Sequence, residues 1–336
     1  MWAPLLGALL AFWLTLLIAV TVGRTRWLVC TRGSTFTLTP VVMLATFGLA
    51  FLCDRELCST IEHPRAPPRT RTASVVGIEW TTTVPATLFG ALSVQAFMQV
   101  TMSPGSTRKL FVAPMLMVHV CTLLYYLVGE TLAPACVVTT RWGTEEKPLH
   151  YALWWVSMSA QLLTINGLEH TLRSQASAIA NLKGHGGGGA SAAAAPSLAD
   201  PAERQAVRRC ALALACVPVM LLLTLYVDVL HGPLPMIAGV FAAFYAALVL
   251  GIAAPLSACS EHALAASAAP SARSIAFRCR AVAAYLLCVW HVFPLVWVLA
   301  LVGALSHESA RIGYVVADVL AKFLPVTLYV TAVLSS

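Results

Sequence analysis

Charged side chains are scarce in this sequence. Asp, Glu, Lys and Arg make up 10% of its 336 residues, whereas soluble domains carry about 25%. Hydrophobic residues make up 59%, and the mean hydropathy is +0.81. A chain this apolar does not have enough polar groups to cover its surface in water. The composition therefore predicts an integral membrane protein whose main partner is the lipid bilayer.

Several other patterns are also missing from the sequence. The 10 Cys are scattered, and none forms a Cys/His cluster with zinc spacing. The net charge of +7 comes without a Lys/Arg stripe interleaved with aromatics, which argues against nucleic-acid binding. No nucleophile–base constellation is evident and the sequence ends just after its last apolar stretch, so we do not expect an enzyme. One Cys pair, Cys53 and Cys58, flanks a loop at a spacing that leaves a disulfide open.

Long apolar stretches divide the chain into two predicted parts. A membrane-spanning helix needs about 20 mostly apolar residues, and nine stretches approach that length. They are 3–22, 37–53, 78–101, 110–129, 149–168, 209–229, 234–257, 281–304 and 312–334. We expect residues 1–74 to form a helix pair with a Pro/Arg-rich loop, and residues 75–336 to form a seven-helix domain. The Gly/Ala/Ser-rich segment 183–200 is predicted to be a flexible loop of that domain.

Basic residues indicate how the chain crosses the membrane. The loops after the third, fifth and seventh predicted spans are richer in Lys and Arg than the loops between them. Cytoplasmic loops carry such an excess. With nine spans, the N-terminus is predicted to lie outside and the C-terminus in the cytoplasm.

The last predicted span contains two opposite charges, Asp318 and Lys322. Each costs about 2.5–3.5 kcal/mol at the centre of a membrane helix on insertion scales. Their i, i+4 spacing places both on one face, which must point into the bundle. One interpretation is a structural ion pair that neutralises itself. The other is a lysine that forms a Schiff base with a carbonyl ligand, because burial disfavours the charged amine, with the aspartate as counterion.

The preceding span carries an aromatic stripe. Trp290, Phe293 and Trp297 recur at helical spacing, and Pro294 is expected to kink the helix. The stripe suits ordinary packing, but it also suits a long flat ligand next to the buried lysine.

The span 149–168 has a polar face inside an apolar helix. Ser157, Gln161 and Thr164 lie on nearby turns of this face. Small polar residues of this kind commonly form hydrogen bonds between membrane helices, so the face alone does not decide between structure and function.

Together these motifs resemble those of the microbial (type 1) rhodopsins over roughly residues 75–336. The paired motifs are W-x-x-F-P-x-x-W followed by D-x-x-x-K, and Tyr151-Ala152-x-Trp154 resembles the third-helix motif. The resemblance implies an all-α membrane protein, a retinal-binding seven-helix bundle that here follows two extra helices. All-trans retinal would be attached to Lys322 with Asp318 as counterion. The implied site residues are Lys322, Asp318, Trp154, Trp290, Phe293, Pro294, Trp297, Tyr151, Leu153 and Ser157.

Departures from the family pattern bear on mechanism. Leu153 stands where proton-pumping relatives carry the acceptor carboxylate, His150 replaces an arginine, and Thr164 replaces the cytoplasmic carboxylate. We therefore do not expect an outward proton pump with the usual route, and Asp318 is expected to act as a single carboxylate. Anion conduction, halide pumping, inward proton transfer and sensing without transport all stay open, with a proton or an anion as the small-ion partner. His119 and His291 are further candidates for proton carriers.

Two other classes of function are compatible with the same sequence. One is an opsin-like membrane scaffold or chaperone without a photoreaction, and the other is an unrelated multi-span transporter. The retained Lys322 argues against the first because a buried amine is costly. A transporter would need broken helices or further paired charges, which the sequence does not display. Homo-oligomers are compatible with all three classes.

Overall fold

Apolar helical sequence makes the described part of the chain almost entirely helical. We describe it from a computed structural model. The description covers residues 80–102, 116, 118–127, 138–140, 145–184, 201–229, 232–258 and 270–334. The elements are α1 (Trp80–Met102), α2 (Val118–Leu127), β1 (Val138–Thr139), β2 (Glu145–Glu146), α3 (Pro148–Gly184), α4 (Pro201–Asp228), α5 (Met236–Leu248), α6 (Pro270–Trp290), α7 (Val292–Leu301) and α8 (His307–Leu334).

The helices overlap the predicted spans from residue 78 onward, but α4, α6 and α8 begin 8, 11 and 5 residues before the predicted starts. The predicted span 149–168 is extended at its other end, because α3 runs for 37 residues to Gly184. The added part contains three Ala and two Leu, which favour helix. The predicted flexible segment therefore begins with two helical residues, and 185–200 lie outside the described residues. The predicted N-terminal pair and the Cys53–Cys58 bridge also lie outside them, and the count of seven membrane helices stays a prediction.

Three of the described helices are long and apolar enough to cross a bilayer. They are Arg204–Asp228, Met236–Ala258 and Arg280–Leu301, and Val84–Gln95 and Val118–Leu127 are shorter apolar helices. These helices confirm the prediction of a membrane protein.

A proline breaks the second-last predicted span into α6 and α7. The helix is interrupted at His291, whose N–H bonds to the Cys288 carbonyl in a tighter turn. Pro294 has no N–H for the Trp290 carbonyl and its ring crowds that oxygen. The predicted distortion at Pro294 therefore occurs, and it falls one turn before the proline.

Two apolar cores hold the bundle together on either side of α3. One lies among α3, α4, α5, α6, α7 and α8, and the other among α1, α2, α3 and α8. A π-helical turn at Val249–Ala253 continues α5. Within it Gly251 packs so closely on α3 and α4 that a side chain there would overlap Leu162 and meet Ala213. Since α3 and α8 both contribute to the two cores, their side chains are well placed to form a central site.

Candidate functional site

The Asp318–Lys322 pair lies at the centre of the bundle. Lys322 Nζ donates to Asp318 Oδ1 over 2.6 Å, one turn apart on α8. Their side chains are 1% and 0% exposed. Both charges therefore face the interior, as their spacing predicts.

Three further side chains donate to Asp318. Trp154 Nε1 lies 3.1 Å from Oδ1, while Tyr126 Oη and His150 Nε2 each lie 3.2 Å from Oδ2. These donors come from α2 and α3, and Lys322 comes from α8, so side chains of three helices bond to one carboxylate. A buried ion pair is tolerated only when additional hydrogen bonds satisfy its remaining polar atoms. Of these donors, Tyr126 had no signal in the sequence, because nothing local links it to residue 318.

A cavity opens beside the lysine. The space between its lining side chains, together with the part that is open to solvent, amounts to about 700 Å³. Most of its wall is aromatic or aliphatic, and Lys322 supplies the basic group. The lining residues are Tyr151, Trp154, Ser157, Met158, Gln161, Met220, Leu221, Thr224, Val240, Phe241, Phe244, Trp290, Phe293, Pro294, Trp297, Tyr314, Ala321 and Lys322.

All the predicted site residues except Asp318 and Leu153 line this cavity. Asp318 adjoins it through its bond to Lys322. Leu153 is fully buried in the other core, with α1 and α2. Successive helical residues point about 100° apart, so Trp154 faces the cavity and Leu153 does not. Leu153 therefore packs in the second core, and its predicted role at the site stays a prediction.

A second buried carboxylate adjoins the cavity wall. Asp228 ends α4 and is 2% exposed. Its Oδ2 accepts from Tyr151 Oη over 3.1 Å and from Trp297 Nε1 over 2.9 Å. Both donors line the cavity. The expectation that Asp318 acts as the single carboxylate at Lys322 stays a prediction, and the sequence shows Asp228 only as a polar residue at the end of a span.

The two histidines singled out as proton carriers lie in different surroundings. His119 is fully buried, and its Nε2 lies 3.3 Å from the Lys322 carbonyl oxygen. His291 is exposed and bonds to the Leu287 carbonyl outside the cavity wall. Its ring contacts Phe244 and Tyr245. The structure therefore brings only the first of these two next to the lysine.

The end of α3 beyond Thr164 contains another buried carboxylate. Thr164 itself is buried and donates to the Ala160 carbonyl. One turn further, Glu169 is 1% exposed and accepts from Arg209 of α4 over 2.8 Å. The predicted span ends at residue 168, so the sequence predicts a loop position for Glu169, whereas the structure places it on α3.

Comparisons with known proteins identify the fold. No protein-family model matches the chain, and no curated protein sequence matches it. The solved structures that match include two crystal structures from the Salpingoeca rosetta rhodopsin phosphodiesterase. Its transmembrane domain matches with a TM-score of 0.59 at 12% identity, covering 94% of this chain and 100% of that one. The transmembrane domain with its linker region matches with a TM-score of 0.60 at 12% identity, covering 91% and 95%.

The chain has a rhodopsin-like fold. At 12% identity the likeness concerns the fold alone. It agrees with the fold class that the three sequence motifs predict. The binding roles of the individual residues stay predictions.

Proposed function

We propose that this chain is a retinal-binding, light-responsive membrane protein. The observation that carries the proposal is the amine of Lys322, buried at the wall of an aromatic cavity and paired with Asp318. A carbonyl ligand in that cavity would meet a nucleophilic amine that has no access to bulk water. Such an amine suits a stable Schiff base better than an exposed one does.

The cavity residues fit all-trans retinal. Ligand sites are mostly apolar with a few placed polar groups, and this cavity has that composition. Trp154, Trp290 and Trp297 offer flat faces to a conjugated chain, while Ser157 and Gln161 supply the few polar groups near α8. When bound, retinal would supply visible-light absorption and a photoisomerisable double bond.

The protein's own residues would hold a positive charge at Lys322. Asp318 neutralises that charge, and Tyr126, His150 and Trp154 fix the carboxylate so that it does not rotate away. With Leu153 packed in an apolar core, the third-helix acceptor carboxylate of proton-pumping relatives has no counterpart at that position. We therefore favour light-gated or light-driven transport of a proton or an anion, or photosensing, over outward proton pumping. Orientation with the C-terminus in the cytoplasm belongs to the same proposal.

A reconstitution experiment tests the pigment. Purified protein is mixed with all-trans retinal, and the absorption spectrum is compared for wild type, Lys322→Ala and Lys183→Ala. Lys183 lies roughly 33 Å along α3 from Gln161, at the other end of the helix, and serves as the matched lysine control. We expect an absorption band red-shifted from that of free retinal in wild type and Lys183→Ala, and no such band in Lys322→Ala. Folded wild type without a lysine-dependent band would overturn the proposal.

One observation favours the scaffold alternative. Asp318 and Lys322 neutralise each other within one turn of α8, so the pair is satisfied without a ligand. In a scaffold the pair would be structural, and the double variant Asp318→Asn/Lys322→Met would fold and function as wild type does. In the proposed photoreceptor the same variant would fold but would lose the pigment.

A further inference from the structure

The turn of α8 that carries Lys322 has a gap in its backbone hydrogen bonding. In a helix the carbonyl of residue 321 normally accepts from the N–H of residue 325. Here residue 325 is proline, which has no N–H. The Ala321 carbonyl is buried next to the lysine, and a buried carbonyl without a donor costs about 1–3 kcal/mol.

Gln161 of α3 fills this gap from across the bundle. Its Nε2 donates to the Ala321 carbonyl oxygen over 2.9 Å. Its Oε1 accepts from the Trp290 indole Nε1 over 2.8 Å. An indole N–H only donates and a carbonyl only accepts, so these two partners fix the orientation of the amide.

This glutamine therefore connects two parts of the cavity. Trp290 is the largest fully buried side chain among the described residues, and it forms part of the cavity wall. Ala321 and Lys322 line the same cavity from α8. Gln161 also lines it and is 2% exposed. A shift of the indole or of the α8 turn would break one of its bonds and leave a buried polar atom unsatisfied, which makes independent movement of the two costly.

We propose that Gln161 is a positioning residue that ties the Trp290 ring to the α8 turn bearing Lys322 and so shields the lysine attachment. This inference rests on the proposed function, because it concerns the attachment of the ligand. Neighbouring carbonyls of the same turn are held in a similar way. Tyr285 Oη donates to the Leu320 carbonyl over 2.9 Å, and His119 bonds to that of Lys322. Of these three side chains, Gln161 is the one that itself lines the cavity.

Hydroxylamine bleaching in the dark measures the shielding. Hydroxylamine, a water-soluble nucleophile, converts the imine of Lys322 to free amine and retinal oxime, and loss of the visible band gives the rate. We expect Gln161→Leu to bleach about tenfold faster than wild type, because one buried hydrogen bond is worth roughly that factor. Trp290→Phe keeps a ring but removes the N–H, and a smaller increase is expected.

A compensating substitution separates positioning from general loss of stability. Pro325→Ala gives residue 325 a backbone N–H that can bond to the Ala321 carbonyl. In the double variant Gln161→Leu/Pro325→Ala we expect the bleaching rate to return most of the way to the wild-type value. Should Gln161→Leu bind retinal poorly, the double variant is expected to recover the pigment.

The outcomes distinguish the two proposals. A wild type that forms no lysine-dependent band overturns the proposed function and this inference with it. A normal pigment whose Gln161→Leu variant bleaches at the wild-type rate overturns the role of Gln161 alone. Accelerated bleaching or pigment loss that Pro325→Ala does not reverse also overturns that role, because the damage would then lie elsewhere.

Discussion

Two buried carboxylates, Asp318 and Asp228, adjoin the same cavity and are held differently. Asp318 lies on α8 and receives four side-chain bonds, one of them from the cation Lys322. Asp228 lies at the end of α4, and in the bonds described for it the neutral groups of Tyr151 and Trp297 share one of its oxygens. The first carboxylate balances a charge, whereas the second organises two aromatic residues of the wall.

Adjacent residues of α3 connect the two centres. His150 bonds to Asp318, and Tyr151 bonds to Asp228. The ring of Trp154, one turn on, lies 4.2 Å from that of His150 and 5.6 Å from that of Tyr151, measured between centroids. On one side of α3, Asp318 balances the charge of Lys322, and on the other side Asp228 orients aromatic residues of the cavity wall. Substitutions at the two carboxylates test this division of roles.

The largest effect is expected at Asp318. Asp318→Asn removes the negative charge beside a buried lysine, and breaking such a pair by removing one partner costs about 3–5 kcal/mol. The free energy of unfolding, measured by SDS titration in mixed micelles without retinal, should fall by that amount. The double variant Asp318→Asn/Lys322→Met removes both charges and should recover most of the loss. A single variant as stable as wild type would contradict a charge-balancing role.

A smaller effect is expected at Asp228, and it should depend on the replacement. Because both bonds described for Asp228 reach one oxygen, the amide oxygen of Asp228→Asn can accept both as neutral hydrogen bonds, and the free energy of unfolding should fall by about 1–2 kcal/mol. Asp228→Leu leaves a phenol and an indole N–H without that acceptor, at about 1–3 kcal/mol each. The same SDS titration compares the variants. An asparagine variant as unstable as Asp318→Asn would show that charge matters equally at both carboxylates.

The difference between Asp318 and Asp228 also explains which parts of the site can be predicted from the sequence. Asp318 and Lys322 are four residues apart, and Trp290, Phe293 and Trp297 share one helix face, so periodicity alone places them together. The partners of Asp228 are 77 and 69 residues away, and Tyr126 is 192 residues from Asp318. Such bonds depend on how helices are arranged in space. An aspartate at the end of a span commonly lies at the membrane surface, so the sequence alone does not predict that Asp228 is buried.

The role of Gln161 illustrates the same limit. Its place on the polar face of α3 was predictable, and so was the missing N–H of Pro325. The sequence did not indicate that the Gln161 amide donates to the carbonyl that Pro325 leaves without an N–H donor, because the two residues are 164 positions apart. Leu153 illustrates a related limit, since a motif gives adjacency along the chain while a helix turns successive residues to different sides.

The smallest expected effect comes from single hydroxyl groups, and it compares the two carboxylates directly. Tyr126→Phe removes one of the four donors described for Asp318, and Tyr151→Phe removes a donor of Asp228. A hydrogen bond to a charged group typically contributes about 1.5–3 kcal/mol, but the remaining donors at Asp318, Lys322 among them, can compensate in part. We therefore expect Tyr126→Phe to lower the free energy of unfolding by about 1 kcal/mol or less and Tyr151→Phe by more. Tyr151 also lines the cavity, so its variant should shift the absorption maximum of the reconstituted pigment. If Tyr126→Phe is the more damaging of the two, the donors at Asp318 act as a cooperative unit, and the division between charge balance and wall geometry is wrong.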